Sequence, residues 1–379
     1  MKKSFDPVLR EKSAPIHIRQ RLEAIRSLSR KKGLHFEVGY TAPFDFPLSV
    51  ITGLRVPADV ADLVKRQNMK ISALHVEARS LQTASACAAA IRFDWREQHG
   101  ATPIRDQGNC GSCWAYAALG ALEGAFAVGA QRQINGSEQQ LIDCSGAGDC
   151  DGGWWAPALE YLENREANAT EANYPYTAAN GSCSRTTPRE YSVVSWGFVP
   201  SELNLFSPNF LRPPVNQLKE ALCLHGPLAV GVNATDAFQA YAGGAFDEND
   251  DGHVNHAVTL IGWDDAVSTA FGKGVWIIKN SWGQWWGEAA GYDVHTHPML
   301  VADVNGDGKA DLVFMGQDWA GAATGLTIRT KLSNGDGTWR AVEQVLGDGS
   351  GTLTHPVLVA DVNGDGKADL VFMGQDWRP

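Results

Sequence analysis

The stretch "DQGNCGSCWAYAALGALEGAF", residues 106–126, constrains this chain most. Two cysteines three apart lead directly into a run of small and apolar residues long enough for a buried helix. Four fates are open to such a pair: redox couple, half of a metal site, structural bridge, or one bridging cysteine beside one nucleophile. A thioredoxin-like couple needs a βαβ context upstream, and "FDWREQHGATPIRDQGN" carries none. A zinc site needs two more ligands at close spacing, and the nearby Cys144 and Cys150 have five residues between them, within a stretch that offers no second C-x-x-C. The remaining reading separates the two thiols. Cys113 starts the helix, where the dipole and unsatisfied N–H groups stabilise a thiolate and a neighbouring imidazolium completes the activation. Cys110 lies one turn earlier in a Gly-flanked loop and suits a bridge that pins it.

A chain of 379 residues exceeds one hydrophobic core, so two or three units are expected. Its 44% hydrophobic and 20% charged residues are ordinary for a soluble protein, and no stretch of apolar residues is long enough to span a bilayer. Charge divides unevenly along the chain: residues 1–90 hold 15 Lys+Arg against 8 Asp+Glu, residues 91–295 hold 11 against 24, and residues 296–379 hold 6 against 11. A basic front before an acidic body suits docking within the chain better than nucleic-acid binding. The N-terminus opens with lysines, yet no apolar stretch follows that reads as a secretory signal.

Residues 1–88 form the first unit. Ile18, Leu22, Ile25 and Leu28 recur at helical spacing, a second helix is expected around "VPADVADLVKRQ", and "LQTASACAAA" reads as an exposed linker open to cleavage. Residues 89–295 mix one strong helix with β-like runs such as "HAVTLIGW" and "GVWIIKNSW" and hold six of the seven cysteines, which reads as an α+β domain. Residues 296–379 contain a near-perfect repeat, "HPMLVADVNGDGKADLVFMGQDW" at 297–319 and "HPVLVADVNGDGKADLVFMGQDW" at 355–377, and form a separate module.

The segment "PIRDQGNCGSCWAY" resembles the active-site segment of the papain-like cysteine peptidases. That family carries a His and an Asn downstream, and "GHVNHAVTLIGW" supplies His256 while "VWIIKNSWGQWWGE" supplies Asn280. The resemblance implies a two-lobed fold, helical on the left and β-rich on the right. It implies Cys113 as nucleophile, His256 as general base and then acid, and Asn280 as the group that orients the imidazole. Gln107 would complete an oxyanion hole with the Cys113 backbone N–H, and Trp282 would shield the His–Asn bond. Gly152 and Gly153 would pair with substrate backbone, and Trp154, Trp155, Gly231, Val254 and Ala257 would line the pocket two residues before the scissile bond. Two disulfides, Cys110–Cys150 and Cys144–Cys183, are implied as well. They leave Cys113 reduced and favour an oxidising, extracytoplasmic compartment. Cys87 is then left over, and Cys223 reads as a small buried hydrophobe.

In such peptidases an N-terminal proregion lies across the cleft in the non-productive direction, the role expected for residues 1–88. No cofactor is needed for catalysis. The partners expected are peptide or protein substrates and the chain's own proregion.

The repeat core "DVNGDGKAD" places oxygen ligands at Asp303, Asn305, Asp307 and Asp311, and again at Asp361, Asn363, Asp365 and Asp369. This is the spacing of a calcium loop, with Gly308 at the sharp turn. An EF-hand would have Glu where Phe314 stands, and the flanks read as strands. The module resembles FG-GAP or VCBS-type repeats, short β units like propeller blades, for which a surface, a glycan or a protein would be the ligand. A propeller needs at least four blades, so two units are read as incomplete, truncated or dependent on assembly. The repeat also begins where a papain-like domain would continue with its closing strands. The reading is a cysteine endopeptidase made as a zymogen. Its rival is a weak or inactive papain-like scaffold that acts in adhesion with the calcium repeats.

Overall fold

The computed structural model describes residues 7–72, 86–164, 167–199, 213–248 and 253–287, together with the strands between 299 and 372 and Lys367. Residues 14–289 form one compact unit, and residues 290–379 fall with 1–13 in a second.

The apolar run after the C-x-x-C is helical as expected. Counting helices and strands along the chain, α1 is Pro7–Lys12, α2 Ile16–Lys32, β1 Phe36–Val38, α3 Leu48–Ile51, α4 Val60–Ser72, β2 Arg92–Asp94 and α5 Cys113–Gly129. Helix α5 is buried almost continuously from Cys113 to Gly124, because it is covered on both sides. Trp114, Leu119 and Leu122 pack on Leu141 and Ile142 of α6 (Glu138–Cys144) and on Tyr161 and Leu162 of α7 (Trp155–Asn164). The opposite side meets the sheet. A Cβ on Gly120 would stand 2.1 Å from Thr259 Oγ1, and one on Gly124 would stand 2.4 Å from Pro227. The two glycines, four apart, therefore let helix and sheet approach closely.

That sheet is antiparallel. Strand β7 (His256–Thr269) lies between β2 and β5 (Leu228–Val232), and β8 (Gly272–Lys279) also pairs with it. The first eight residues of β7 are all buried, which accounts for the absence of an alternating polar face in "HAVTLIGW". Shorter elements complete the body: β3 (Gly148–Asp149), β4 (Gly152–Gly153), α8 (Val215–His225), α9 (Asp236–Gln239) and β6 (Tyr241–Gly244).

The front of the chain folds onto this body. Ile18 and Leu22 of α2 are buried with Tyr40, Phe44 and Ala240. Leu28, expected on the same stripe, is 43% exposed, and Ser29 is buried in its place. The buried face therefore runs 18, 22, 25, 29, one residue beyond the apolar pattern. Beyond the helix, β1 pairs antiparallel with β6. Charge complementarity appears as contacts between front and body: Arg21 with Asp236 at 3.0 Å and Lys70 with Glu163 at 2.7 Å.

The bridges Cys110–Cys150 and Cys144–Cys183 are formed and Cys113 is free. A third bridge, Cys87–Cys223, corrects the reading of Cys223 as an unbonded buried residue. Pairing of β2 with β7 carries the chain just after Cys87 across the sheet beneath α8, which brings the two Cα atoms to 6.1 Å.

In the second unit, β9 (Met299–Ala302), β10 (Asp311–Gly316), β11 (Leu326–Ser333) and β12 (Trp339–Leu346) form an antiparallel meander. A second hairpin joins β13 (Val357–Ala360) to β14 (Asp369–Phe372). The repeat is reproduced in register, since Ala302 faces Asp311 as Ala360 faces Asp369. Asp303, Asn305, Asp307, Asp361, Asn363 and Asp365 lie outside the described residues, and Asp311 and Asp369 begin β10 and β14.

Candidate active site

Cys113 is fully buried at the first position of α5, and His256 is fully buried at the first position of β7. The helix–sheet contact brings these two starts together, and Ala257, next to His256, packs in one cluster with Cys113. His256 Nε2 is 2.8 Å from Asn280 Oδ1. The same oxygen accepts the Ser281 N–H at 2.8 Å, so it is the oxygen of the amide that faces the ring. Nε2 therefore carries the hydrogen, and the Nδ1 lone pair remains to take a proton. Trp282 is 2% exposed and stacks on His256 at 4.4 Å between ring centroids.

Gln107 is buried, and its orientation is fixed from both ends. Its Oε1 accepts the Ser281 hydroxyl at 2.6 Å, which turns Nε2 towards the carbonyls of Cys110 at 2.7 Å and Ile51 at 3.1 Å. Ser281 thus holds both Asn280 and Gln107. Sequence reasoning passed over it, although it stands between Asn280 and Trp282 in the same motif.

The front of the chain occupies this site. Gly53 N–H donates to Cys113 Sγ at 3.3 Å. Gly153 N–H donates to the Gly53 carbonyl at 2.8 Å and Arg55 N–H to the Gly153 carbonyl at 2.9 Å, a parallel pairing. Leu54 N–H donates to the Asn255 carbonyl. A Cβ built on Gly231 would lie 2.6 Å from Val254, 3.0 Å from Leu54 and 3.6 Å from Trp155, so the Leu54 side chain fills the space these residues frame. Trp154 packs in the same cluster as Leu54, and Val254, by contrast, stays 43% exposed. Further along, Val60 and Val64 of α4 are buried beside Trp154, Trp196 and Phe198. Neither Trp196 nor Phe198 was expected at the site.

Burial governs the electrostatics. It pushes the Cys113 thiol up to about 11, against backbone N–H groups of Ala257 and Gly53 that favour the thiolate. It pushes His256 down to about 4, against the bond to Asn280. The closed site therefore holds a neutral thiol and a neutral imidazole at neutral pH.

Behind it lies a buried ion network. Arg105 bridges Glu123 and Glu138, both at 2.5 Å, and Lys279, adjacent to Asn280, donates to Thr102 at 2.6 Å and lies 3.6 Å from Glu123. A water-sized cavity lined by Glu138, Lys279, Asn280 and Ser281 adjoins it. Among the described residues no cluster of metal-ligating side chains occurs.

A thiol at a helix start beside a sheet-borne imidazole and amide, within a mixed helix and sheet body, is the arrangement of a cysteine-dependent hydrolase. Residues 89–297 match the family described as papain family cysteine protease, which makes this chain a member of that family, and residues 303–372 match the FG-GAP-like repeat. The senescence-specific cysteine protease SAG12 of Arabidopsis thaliana is 35% identical over 212 residues, covering 55% of this chain and 57% of that protein. The probable cysteine protease RD19D of Arabidopsis thaliana is 39% identical over 217 residues, covering 53% and 55%. The chain thus spans little more than half the length of these curated relatives. Two solved structures extend further along it. Recombinant stem bromelain precursor matches with TM-score 0.56 and 26% identity, covering 75% of this chain and 83% of its own. Procathepsin L2 from Tenebrio molitor larval midgut matches with TM-score 0.57 and 26% identity, covering 75% and 87%.

Proposed function

We propose that this chain is the zymogen of a cysteine endopeptidase in which residues 1–88 act as inhibitor, 89–295 as peptidase and 296–379 as a repeat module. The observation that carries the reading is the Gly53 N–H bonded to Cys113 Sγ while Gln107 Nε2 donates to Ile51. One segment of the chain engages both the thiol and the amide that would stabilise an oxyanion. Its parallel pairing with Gly153 supports the non-productive direction implied by the family resemblance. Both solved structures named above are precursors by their titles, and their alignments reach beyond the peptidase match.

Once the cleft is vacated, His256 Nδ1 takes the Cys113 proton and the thiolate attacks a peptide carbonyl. Gln107 Nε2 and the Cys113 backbone N–H stabilise the tetrahedral oxyanion. The imidazolium returns the proton to the departing amine, and water hydrolyses the thioester. Leu54 in the pocket of Trp155, Gly231 and Val254 favours substrates with an apolar residue two positions before the cleaved bond.

Three disulfides fit an oxidising compartment outside the cytoplasm. No described helix is long and apolar enough to cross a membrane. In the repeats, calcium is the cation that suits the donors spaced along 303–311 and 361–369, since carboxylates at that sequence spacing repel one another without a cation. A surface, a glycan or a protein would be the ligand of that module.

The test is trace proteolysis at mild acid pH, then an epoxide-type thiol inhibitor and intact-mass measurement, with Cys113→Ala alongside. One adduct on a shortened chain, absent in the variant and accompanied by peptide hydrolysis, supports the enzyme. A folded protein that gives neither adduct nor hydrolysis supports the scaffold reading instead.

A further inference from the structure

Cys87 precedes the residues that match the peptidase family, yet it is bonded to Cys223 of α8 within the body. Its surroundings belong to the body too. Cys87 and Cys223 pack against the cluster of Trp95, Leu222, Leu260 and Trp263. The Ala90 carbonyl accepts the Trp263 indole N–H at 2.9 Å, and the Ile91 carbonyl accepts the Asp265 N–H at 2.8 Å. From Arg92 the chain becomes β2, paired with β7. None of these contacts involves the segment that fills the cleft.

We infer that the Cys87–Cys223 disulfide sets the boundary of processing: the inhibitor ends before Cys87 rather than at residue 88, and the active enzyme begins N-terminal to Cys87 and retains it. The inference rests on the zymogen reading above. Two arguments carry it. A protease acts on backbone that can be drawn out into its own cleft, whereas the backbone from Cys87 to Asp94 is covalently pinned and bonded to the sheet. A cut on the C-terminal side of Cys87 also fails to free the inhibitor. Hydrolysis adds water across one amide and leaves the S–S bond intact, so the severed proregion stays attached through Cys223. At the effective concentration of a short tether, of the order of millimolar, it keeps reoccupying the cleft. Releasing it then requires a dithiol reductant, which supplies two electrons and two protons to Cys87 and Cys223 and is itself oxidised to a disulfide. A cut before Cys87 needs no such step.

The experiment uses the full chain, activated by acid and trace protease without thiol reductant, labelled with the epoxide inhibitor and quenched with an alkylating agent. Intact mass and N-terminal sequence are read with and without reduction. The expected labelled species starts before Cys87, and reduction changes its mass only by two hydrogens per disulfide. A labelled body that starts after Cys87, with a proregion fragment that separates only on reduction, overturns the inference while leaving the zymogen reading intact. Absence of label and of hydrolysis in folded protein under every activating condition overturns both.

Discussion

At the scale of single residues, the arrangement assigns distinct losses to distinct side chains. Cys113→Ala should abolish both labelling and hydrolysis while the melting profile stays close to that of the parent chain. Gln107→Ala should lower kcat by about 10²- to 10³-fold, the usual cost of one oxyanion donor, with KM for a short peptide little changed. Asn280→Ala removes the oxygen that fixes the ring of His256 at 2.8 Å, and a loss of the order of 10²-fold in kcat is expected from misorientation of the base. Steady-state kinetics on the processed enzyme separates these outcomes, and an unchanged kcat in Gln107→Ala would remove that residue from the proposed mechanism. These positions were legible because nucleophile chemistry demands particular residue types inside short local motifs. Ser281 and the Cys87–Cys223 bridge were not. The first acts through neighbours that its hydroxyl and backbone happen to reach, and the second depends on where β2 and α8 lie relative to each other, which spacing along the chain does not encode.

At the scale of elements, two glycines carry the close approaches on which the site depends. A Cβ on Gly53 would stand 1.8 Å from the Gly111 carbonyl oxygen, a backbone atom that cannot move aside cheaply. Gly53→Ala should therefore unseat the Ile51–Arg55 segment without touching the peptidase, and the full-length chain should gain reactivity at Cys113 towards a neutral thiol reagent by tenfold or more. Unchanged reactivity would mean that this segment does not control access. Gly120→Ala acts differently, because its Cβ meets Thr259 where α5 crosses β7. Overpacking there should lower stability by about 1–3 kcal/mol, read from denaturant unfolding. The apolar run and the β-like stretches gave α5, β7 and β8 directly. The stripe on α2 misplaced Leu28 because an amphipathic face drifts around a helix, and the docking surface rather than hydrophobicity selected Ser29 for the last buried turn. Cleft occupancy by Leu54 was foreseen only as a role for the whole front segment, since a short Gly-Leu-Arg sequence has no signature of its own.

For the molecule as a whole, proton binding and cleft opening are linked. Closed, His256 is held down to about 4 by burial, below the ordinary 6.5 of an accessible imidazole. Between those two values the opened chain binds a proton that the closed chain refuses. The contribution of His256 to the closed state is thus complete above about pH 6.5 and is lost as pH falls through 4. The difference between the two values corresponds to about 3 kcal/mol. Asp247 adds a second acid-sensitive contact. Burial raises its carboxyl, but N–H groups of Ala270 and His35 and the His35 ring outweigh that and hold it below its ordinary range. Its 2.7 Å contact with His35 fastens the chain just before β1 to the residues after β6, and protonation of the carboxyl weakens it. Labelling of Cys113 in the full chain should therefore accelerate as pH falls from 7 to 4, after correction for the reagent's own pH dependence. Comparison with Gly53→Ala locates the cause. If acid acts by opening the cleft, a chain already unseated there should lose most of the acceleration, and both proteins should converge near pH 4. If the acceleration persists undiminished in Gly53→Ala, acid works through the Asp247 fastening or elsewhere, and His256 is not the group that couples protons to opening.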